Sequence, residues 1–299
     1  MVISATDQSA VTYSNEDVFN YACNGDEYNL KLSLNYISTK HNNNNNTKIE
    51  WYRTNNGSTA LHIASVNNHI NCIELLLDNE FDIESKDDRG FTSLIAATIS
   101  GQMESIICLL DRLADIENDD IGDGYKALHH ASLHGNSDTL KLLISRNANI
   151  NNTSNLGETA LMIAVKYDYI DCINVLLELG ADYEIKNKDG NTPLHIACSK
   201  NHIECAEILL RKGANIESIN EDGMTPLHNA CMYGCLEVCQ LLLDKGAMIE
   251  SIDYENHTPL YYASNQCEYE TDWRLKENRF DCIQLLISTY RKRLTISSD

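Results

Sequence analysis

The sequence predicts an all-α solenoid, a stack of short repeats, each made of two helices and an extended finger. Three observations carry that prediction. A motif of the form G-x-T-x-L recurs through most of the 299 residues. Its copies stay in phase, and no single copy holds enough apolar surface to bury itself. Repeats of this kind form a continuous core only by stacking on their neighbours.

The copies read "GSTALHIA" from Gly57, "GFTSLIAA" from Gly90, "GYKALHHA" from Gly124, "GETALMIA" from Gly157, "GNTPLHIA" from Gly190 and "GMTPLHNA" from Gly223. A last one, "NHTPLYYA", starts at Asn256, and the steps between starts are 33, 34, 33, 33, 33 and 33 residues. The one extra residue falls in "DDIGDG", a longer turn before Gly124.

Each copy has the same grammar. Thr192 followed by Pro193 is an N-cap with proline at the first helical position. Leu194 and Ala197 lie three apart on one side of a first short helix. A turn at Asn201, or at Gly101, Gly135 and Gly234 in other copies, leads to a second helix. That helix carries Ile203, Cys205, Ile208, Leu209 and Leu210, and ends at Gly213, suited to a left-handed C-cap. "ANIES" and "NEDG" then form the finger.

These residues resemble the ankyrin repeat family, over roughly residues 57 to 290, through "TPLHIA", "LLRKGANIE" and the 33-residue period together. The resemblance implies antiparallel helix pairs, a β-hairpin finger in each repeat, and a concave face that binds other proteins. About seven repeats are expected, starting near 57, 90, 124, 157, 190, 223 and 256.

Residues 16 to 56 read as a degenerate capping repeat with an Asn-rich loop, "HNNNNN". Phe19 and Ala22 belong on its first helix, and Leu30, Leu32, Leu34 and Ile37 on or beside its second. Residues 1–15 are expected to be a flexible N-terminus and 291–299 a tail. The last repeat holds an insertion at about 266–279, read first as a plain loop, with a partner-binding element anchored by Tyr269 and Trp273 as the functional alternative. The basic cluster from Arg291 to Arg293 is expected to close a helix C-terminus.

Composition narrows the function. Lys plus Arg number 23 and Asp plus Glu 44, a net charge of −21. That balance repels phosphate backbones and excludes a nucleic-acid partner from the expectation, leaving a basic protein more plausible. Without eighteen consecutive apolar residues, no membrane span is expected. The eleven cysteines, with no secretory signal in the sequence, suggest reduced thiols in the cytoplasm or nucleus.

No phosphate-cradling G-x-x-x-x-G-K-[ST] loop, H-E-x-x-H helix, G-x-S-x-G elbow or C-x-x-C pair occurs. No enzymatic activity, cofactor or metal is expected. One stretch looks like an exception: "PLHIACSKNHIEC" carries His195, Cys198, His202 and Cys205 within eleven residues, a zinc-like ligand set. Repeat alignment removes it. His195 aligns with His62, His129 and His228, but also with Ile95 and Met162. Cys205 aligns with Cys72, Cys172, Cys282 and Val238, the pattern of a small apolar core site. By the resemblance, His195 braces the finger against the first helix.

A row of acids, Glu84, Glu117, Glu184, Glu217 and Glu250, stands at the start of the fingers and reads as solvated, with an acidic ridge for a basic partner as the functional alternative. Asn151 interrupts it, and by the resemblance is a possible acceptor for asparaginyl hydroxylation.

The resemblance places two sets of residues on the concave side: the residue after the repeat glycine and the pair before the inter-helix turn. From these, Phe91, Tyr125, Leu133, Tyr167, Met224, Met232 and Tyr233 are the candidate partner-binding residues, with Trp273 on the insertion. The expected function is a monomeric protein-interaction scaffold or adaptor. A regulatory inhibitor that masks another protein's surface would use the same face. A non-catalytic subunit of a larger enzyme complex is a weaker expectation.

Overall fold

The computed structural model describes residues 12–42, 51–265 and 273–296, without the side chains of 41, 42, 273–276 and 296. Among the described residues there are helices and turns but no extended strand. They fall into two compact units, residues 1–130 and 131–299, dividing within one helix.

The first unit holds α1 (Asn15–Asn24) and α2 (Glu27–Asn42), α3 (Ala60–Val66) and α4 (Ile70–Asp78), α5 (Ser93–Ile99) and α6 (Met103–Asp111), and most of α7 (Ala127–Leu133). First helices pack on first helices and second on second: α1 on α3, α3 on α5, α2 on α4, α4 on α6. In the second unit α8 (Ser137–Ser145) packs on α10 (Ile170–Glu178). There, α9 (Ala160–Lys166), α11 (Pro193–Ser199), α13 (Pro226–Met232) and α15 (Pro259–Asn265) form one row. With α10, α12 (Ile203–Lys212), α14 (Leu236–Asp244) and α16 (Trp273–Ile296) form the other.

The pairing follows from the apolar spacing. Leu194 and Ala197 on α11, and Cys205, Ile208 and Leu209 on α12, are all buried. Ile203 is exposed, so the apolar stripe of that helix begins at Cys205. Gly213 closes α12 with φ 102°, the left-handed cap its position predicts. The inter-helix turns at Gly101, Gly135, Asn201 and Gly234 also take positive φ.

The N-terminal pair buries Val18, Ala22, Leu30, Leu34 and Ile37, whereas Leu32 is exposed. Phe19 is half-buried, edge-on to Tyr52 at 5.1 Å. The Asn-rich residues 43–46 lie outside the described residues, as do Tyr269 and the rest of 266–272. The remainder of the insertion is not loop but helix. α16 runs for 24 residues where the other second helices of its row have nine or ten, so the extra sequence from Trp273 lengthens it.

Arg293 closes a helix C-terminus, but that of α14: its guanidinium donates to Leu243 O at 3.1 Å and Ala247 O at 3.0 Å. Leu243 lies in the last turn of α14 and Ala247 just past it, where carbonyls are left over from the helical ladder, and a cation there also meets the negative end of the helix dipole.

The fingers are tighter than hairpins. Only isolated bridges occur, at Arg53–Thr59, Asp119–Lys126 and Thr153–Thr159. Each finger is instead a short turn held by one side chain. Asn220 Oδ1 accepts from Asp222 N at 3.1 Å and Met224 N at 2.9 Å, while Asn220 N donates to Met224 O. Asp87, Asn187 and Asp253 do the same work with a carboxylate or amide, and Ser154 with a hydroxyl. A short polar side chain thus replaces strand pairing, which is why Asx and Ser occupy the site.

Successive fingers then join through single backbone bonds. Asp88 N donates to Asn56 O and Ile121 N to Arg89 O in the first unit; Lys188 N donates to Leu156 O, Glu221 N to Asp189 O and Tyr254 N to Asp222 O in the second.

Candidate functional site: a groove pocket in the second unit

His195 is fully buried and makes both of its ring contacts. Nδ1 accepts from Thr192 N at 3.2 Å and lies 2.9 Å from Thr192 Oγ1; Nε2 donates to Met224 O at 3.0 Å. An accepting Nδ1 leaves the proton on Nε2, which suits a donor to a carbonyl. Burial pushes the imidazole pKa down to about 4, so it is neutral. His62 and His228 repeat the arrangement toward Phe91 O and His257 O. This histidine ties the start of one repeat to the finger base of the next, as expected.

The other half of the zinc-like stretch meets a third residue. Asp168, His202 and Cys205 offer donor atoms within 4.8 Å of one another. Their hydrogen bonds are already directed elsewhere in the scaffold. Cys205 Sγ donates to Asp168 Oδ1 at 2.9 Å, and His202 Nδ1 donates to Val165 O at 2.9 Å. Burial and the adjacent carboxylate push the Cys205 thiol far up, holding it protonated. The equivalent turn residues Asn68 and Asn201 accept from Ser105 and Val238 in the same way. The cluster is therefore the standard contact between a turn and the next second helix, with Asp in place of Asn.

The acid row is not a free ridge. Glu184 Oε1 accepts from Asn215 N at 2.7 Å and its Oε2 from Ser218 Oγ at 3.2 Å. Glu217 bridges to Met248 N and Ser251 Oγ, and Glu84 to Asp115 N and Asn118 Nδ2. Asn151 Oδ1 makes the corresponding bond to Asp182 N at 2.9 Å. These side chains cap the loop of the next repeat while staying at the surface.

The proposed binding residues separate into different surroundings. In the first unit Tyr125 is only 8% exposed, stacked on His129 and edge-on to His130. Phe91 is half-buried, edge-on to His130 at 5.1 Å with the Arg89 guanidinium 4.2 Å over its ring. Asp120 Oδ2 accepts from His130 Nε2 at 3.0 Å, so this cluster is a packed polar core in which Tyr125 is not an open contact residue. In the second unit Leu133 is half-buried, while Tyr167 is 47% exposed and stacks on Tyr169. The side chain of Trp273 lies outside the described residues.

Met224, Met232 and Tyr233 come together. They line a pocket of about 280 Å³ on the first-helix side of α11 and α13. Met224 is 5% exposed and forms its base, while Tyr233 is 50% exposed. Ile196, Asp189, Asn191, Asp222 and Asn229 also line the pocket. Sequence reasoning placed Asn191, the residue after Gly190, on this side, but missed Asp189, Asp222 and Asn229. A signal existed for Asn229: its counterparts Ile63, Ala96, Ile163 and Ile196 are apolar, with His130 and Tyr262 the other polar residues in that register. Asn229 is only 7% exposed, yet its side-chain amide has no hydrogen-bond partner among the described residues. Asp189 and Asp222 are exposed, and their carboxylates accept no hydrogen bond there either.

A larger pocket, about 310 Å³, lies in the first unit by Gly25, Asn68 and His69. Its side chains bond one another or the scaffold: Asn71 Nδ2 donates to Glu27 Oε2, Asn68 Oδ1 accepts from Ser105, and His69 Nε2 bonds Cys23 O.

The repeated helix pair, the histidine tie and the side-chain-held finger define an ankyrin repeat fold. The family model for ankyrin repeats matches residues 19–120, 113–187, 179–253 and 213–295, so the chain belongs to the ankyrin repeat family. The ankyrin repeat domain of human ASB11 is similar at 26% identity and a TM-score of 0.61, over 77% of this chain and 98% of that one. The ankyrin repeat domain of Bcl-3, a member of the IkappaB protein family, is similar at 26% identity and a TM-score of 0.64, over 75% and 98%. No curated protein sequence matches the chain. No helix among the described residues is long and apolar enough to cross a membrane.

Proposed function

We propose that the chain is a non-enzymatic protein-interaction scaffold that engages its partner at the pocket of Met224, Met232 and Tyr233. Ankyrin repeats are generally protein-interaction modules, and the chain belongs to that family. The observation that carries the choice of surface is the Asn229 amide, on a residue only 7% exposed and unbonded among the described residues, set beside a half-exposed tyrosine in an open pocket. A partner that bonds this amide replaces the little solvent it reaches. Aromatics and Met are also the side chains enriched at interface centres. Adaptor and masking inhibitor would both act through this surface. The ten described cysteines are all unpaired, which supports a reducing compartment, cytoplasmic or nuclear.

A photo-crosslinking phenylalanine analogue placed at Tyr233 tests the surface, with one at the exposed Leu179 as the control. Protein adducts are expected from position 233 and not from 179. Equal yields, or adducts from 179 alone, would reject the placement.

A further inference from the structure

We infer that the pocket accepts an arginine side chain from a basic segment of the partner protein. The inference rests on the interaction reading above and specifies its chemistry.

The charge in the pocket is uncompensated and negative. Asp189 and Asp222 carry carboxylates without hydrogen-bond or ion-pair partners among the described residues, and no Lys or Arg lines the pocket. The side-chain amide of Asn229, a residue 7% exposed, adds a carbonyl acceptor beside its own N–H donors. Of the remaining polar groups, His195 spends both ring nitrogens, Asn220 Oδ1 is taken by the finger amides, Asn191 Oδ1 accepts from Asn220 Nδ2, and Ser199 Oγ donates to Ile196 O. Free acceptors with uncompensated negative charge call for a cation rich in N–H donors.

The apolar part fits the same ligand. Ile196, Met224 and Met232 offer surface to an aliphatic stem, and the half-exposed Tyr233 ring offers a face to a delocalised cation. A guanidinium has five donors in a planar fork and is less strongly hydrated than an ammonium. It can therefore serve two carboxylates and an amide together, where lysine presents a compact point charge. The net charge of −21 brings a basic segment to the surface but does not choose the pocket. That choice comes from Asn229, which stands where Ile163 and Ile196 stand in other repeats.

The test is fluorescence anisotropy with the full chain at about 0.15 M salt, where exposed long-range attraction is largely screened. The probes are labelled hexa-arginine, hexa-lysine and hexa-glutamate. Hexa-arginine is expected to bind more tightly than hexa-lysine, and hexa-glutamate not at all. The Asp189→Asn/Asp222→Asn variant should weaken hexa-arginine about tenfold or more, as should Asn229→Ile. The control, Glu74→Gln/Glu178→Gln, removes the same charge at exposed helix positions and should change affinity less than about twofold. Equal weakening in pocket and control variants would reduce the effect to net charge and overturn the inference, as would no hexa-arginine binding. If hexa-arginine fails while position 233 still crosslinks to protein, the arginine assignment falls and the interaction reading stands.

Discussion

His195 Nε2 donates to Met224 O across two repeats, at 3.0 Å and wholly out of solvent. The same carbonyl belongs to the residue at the base of the pocket, so the bond that joins two repeats also fixes the floor of the candidate site.

Replacing His195 with Leu should therefore destabilise the chain by about 2–4 kcal/mol. It would leave the Thr192 amide unpaired in a buried place and take from the Met224 carbonyl one of its two donors, Asn220 N being the other. Urea unfolding measures the loss. A change below about 0.5 kcal/mol would mean that the bond is replaceable.

Burial lowers the pKa of His62, His195 and His228, with His195 down to about 4 against an ordinary 6.5. The unfolded chain binds protons on these groups below about pH 6.5 while the folded chain leaves His195 neutral. Stability should be full above that pH and fall as pH drops from 6.5 toward 4, by about 2–3 kcal/mol from His195 alone. Urea midpoints across that range check the slope. His195→Gln should flatten it, and an unchanged slope in that variant would assign the acid sensitivity elsewhere.

Gly157 has φ 74°, and a Cβ there would lie 2.9 Å from Lys188 N of the next finger. Gly157→Ala should lose about 2–3 kcal/mol, from a left-handed backbone and a backbone clash together. The last repeat has Asn256 at φ 64° in the matching place, with no described finger stacked beyond it. Asn256→Ala should lose only the backbone part, about 1 kcal/mol. Equal melting shifts for the two variants would show that the close approach costs nothing.

Cysteine reactivity should follow burial. Burial pushes the thiols of Cys72, Cys172 and Cys235 up to about 11, and those of Cys198 and Cys239 are also raised. In the folded chain at pH 8, iodoacetamide should spare all five and modify the half-buried Cys23 faster. Peptide mass spectrometry reads the order. Rapid labelling of Cys198 or Cys239 would show that the second unit opens.

Asn151 tests the family expectation of hydroxylation. Its Oδ1 holds Asp182 N, so an asparaginyl hydroxylase must release that bond to reach the side chain. Exposure of the chain to such an enzyme should add one oxygen at Asn151 in peptide spectra. No gain under an active enzyme would remove Asn151 as an acceptor.

The sequence by itself determined the repeat. A fixed 33-residue period, the Thr-Pro helix starts and the apolar spacing are local properties, and short helices respond to them wherever they sit. It also showed that His195 and Cys205 belong to the framework, because their counterparts in other copies are apolar or hydrogen-bonding residues in the same register. Tertiary structure decided what the polar residues of that framework do. Glu184 is a surface acid in the sequence, and the next repeat's loop gives it a task by bringing Asn215 N within 2.7 Å of it. Tyr125 reads as a contact residue until His129 and His130 close over it. Asp189, Asp222 and Asn229 read as turn and helix residues until stacking sets two fingers and two helices around one pocket. Hydrogen bonds and cavities depend on distances between residues about thirty or more positions apart, and the period carries the registry of those residues but not the side chains that fill the space between them.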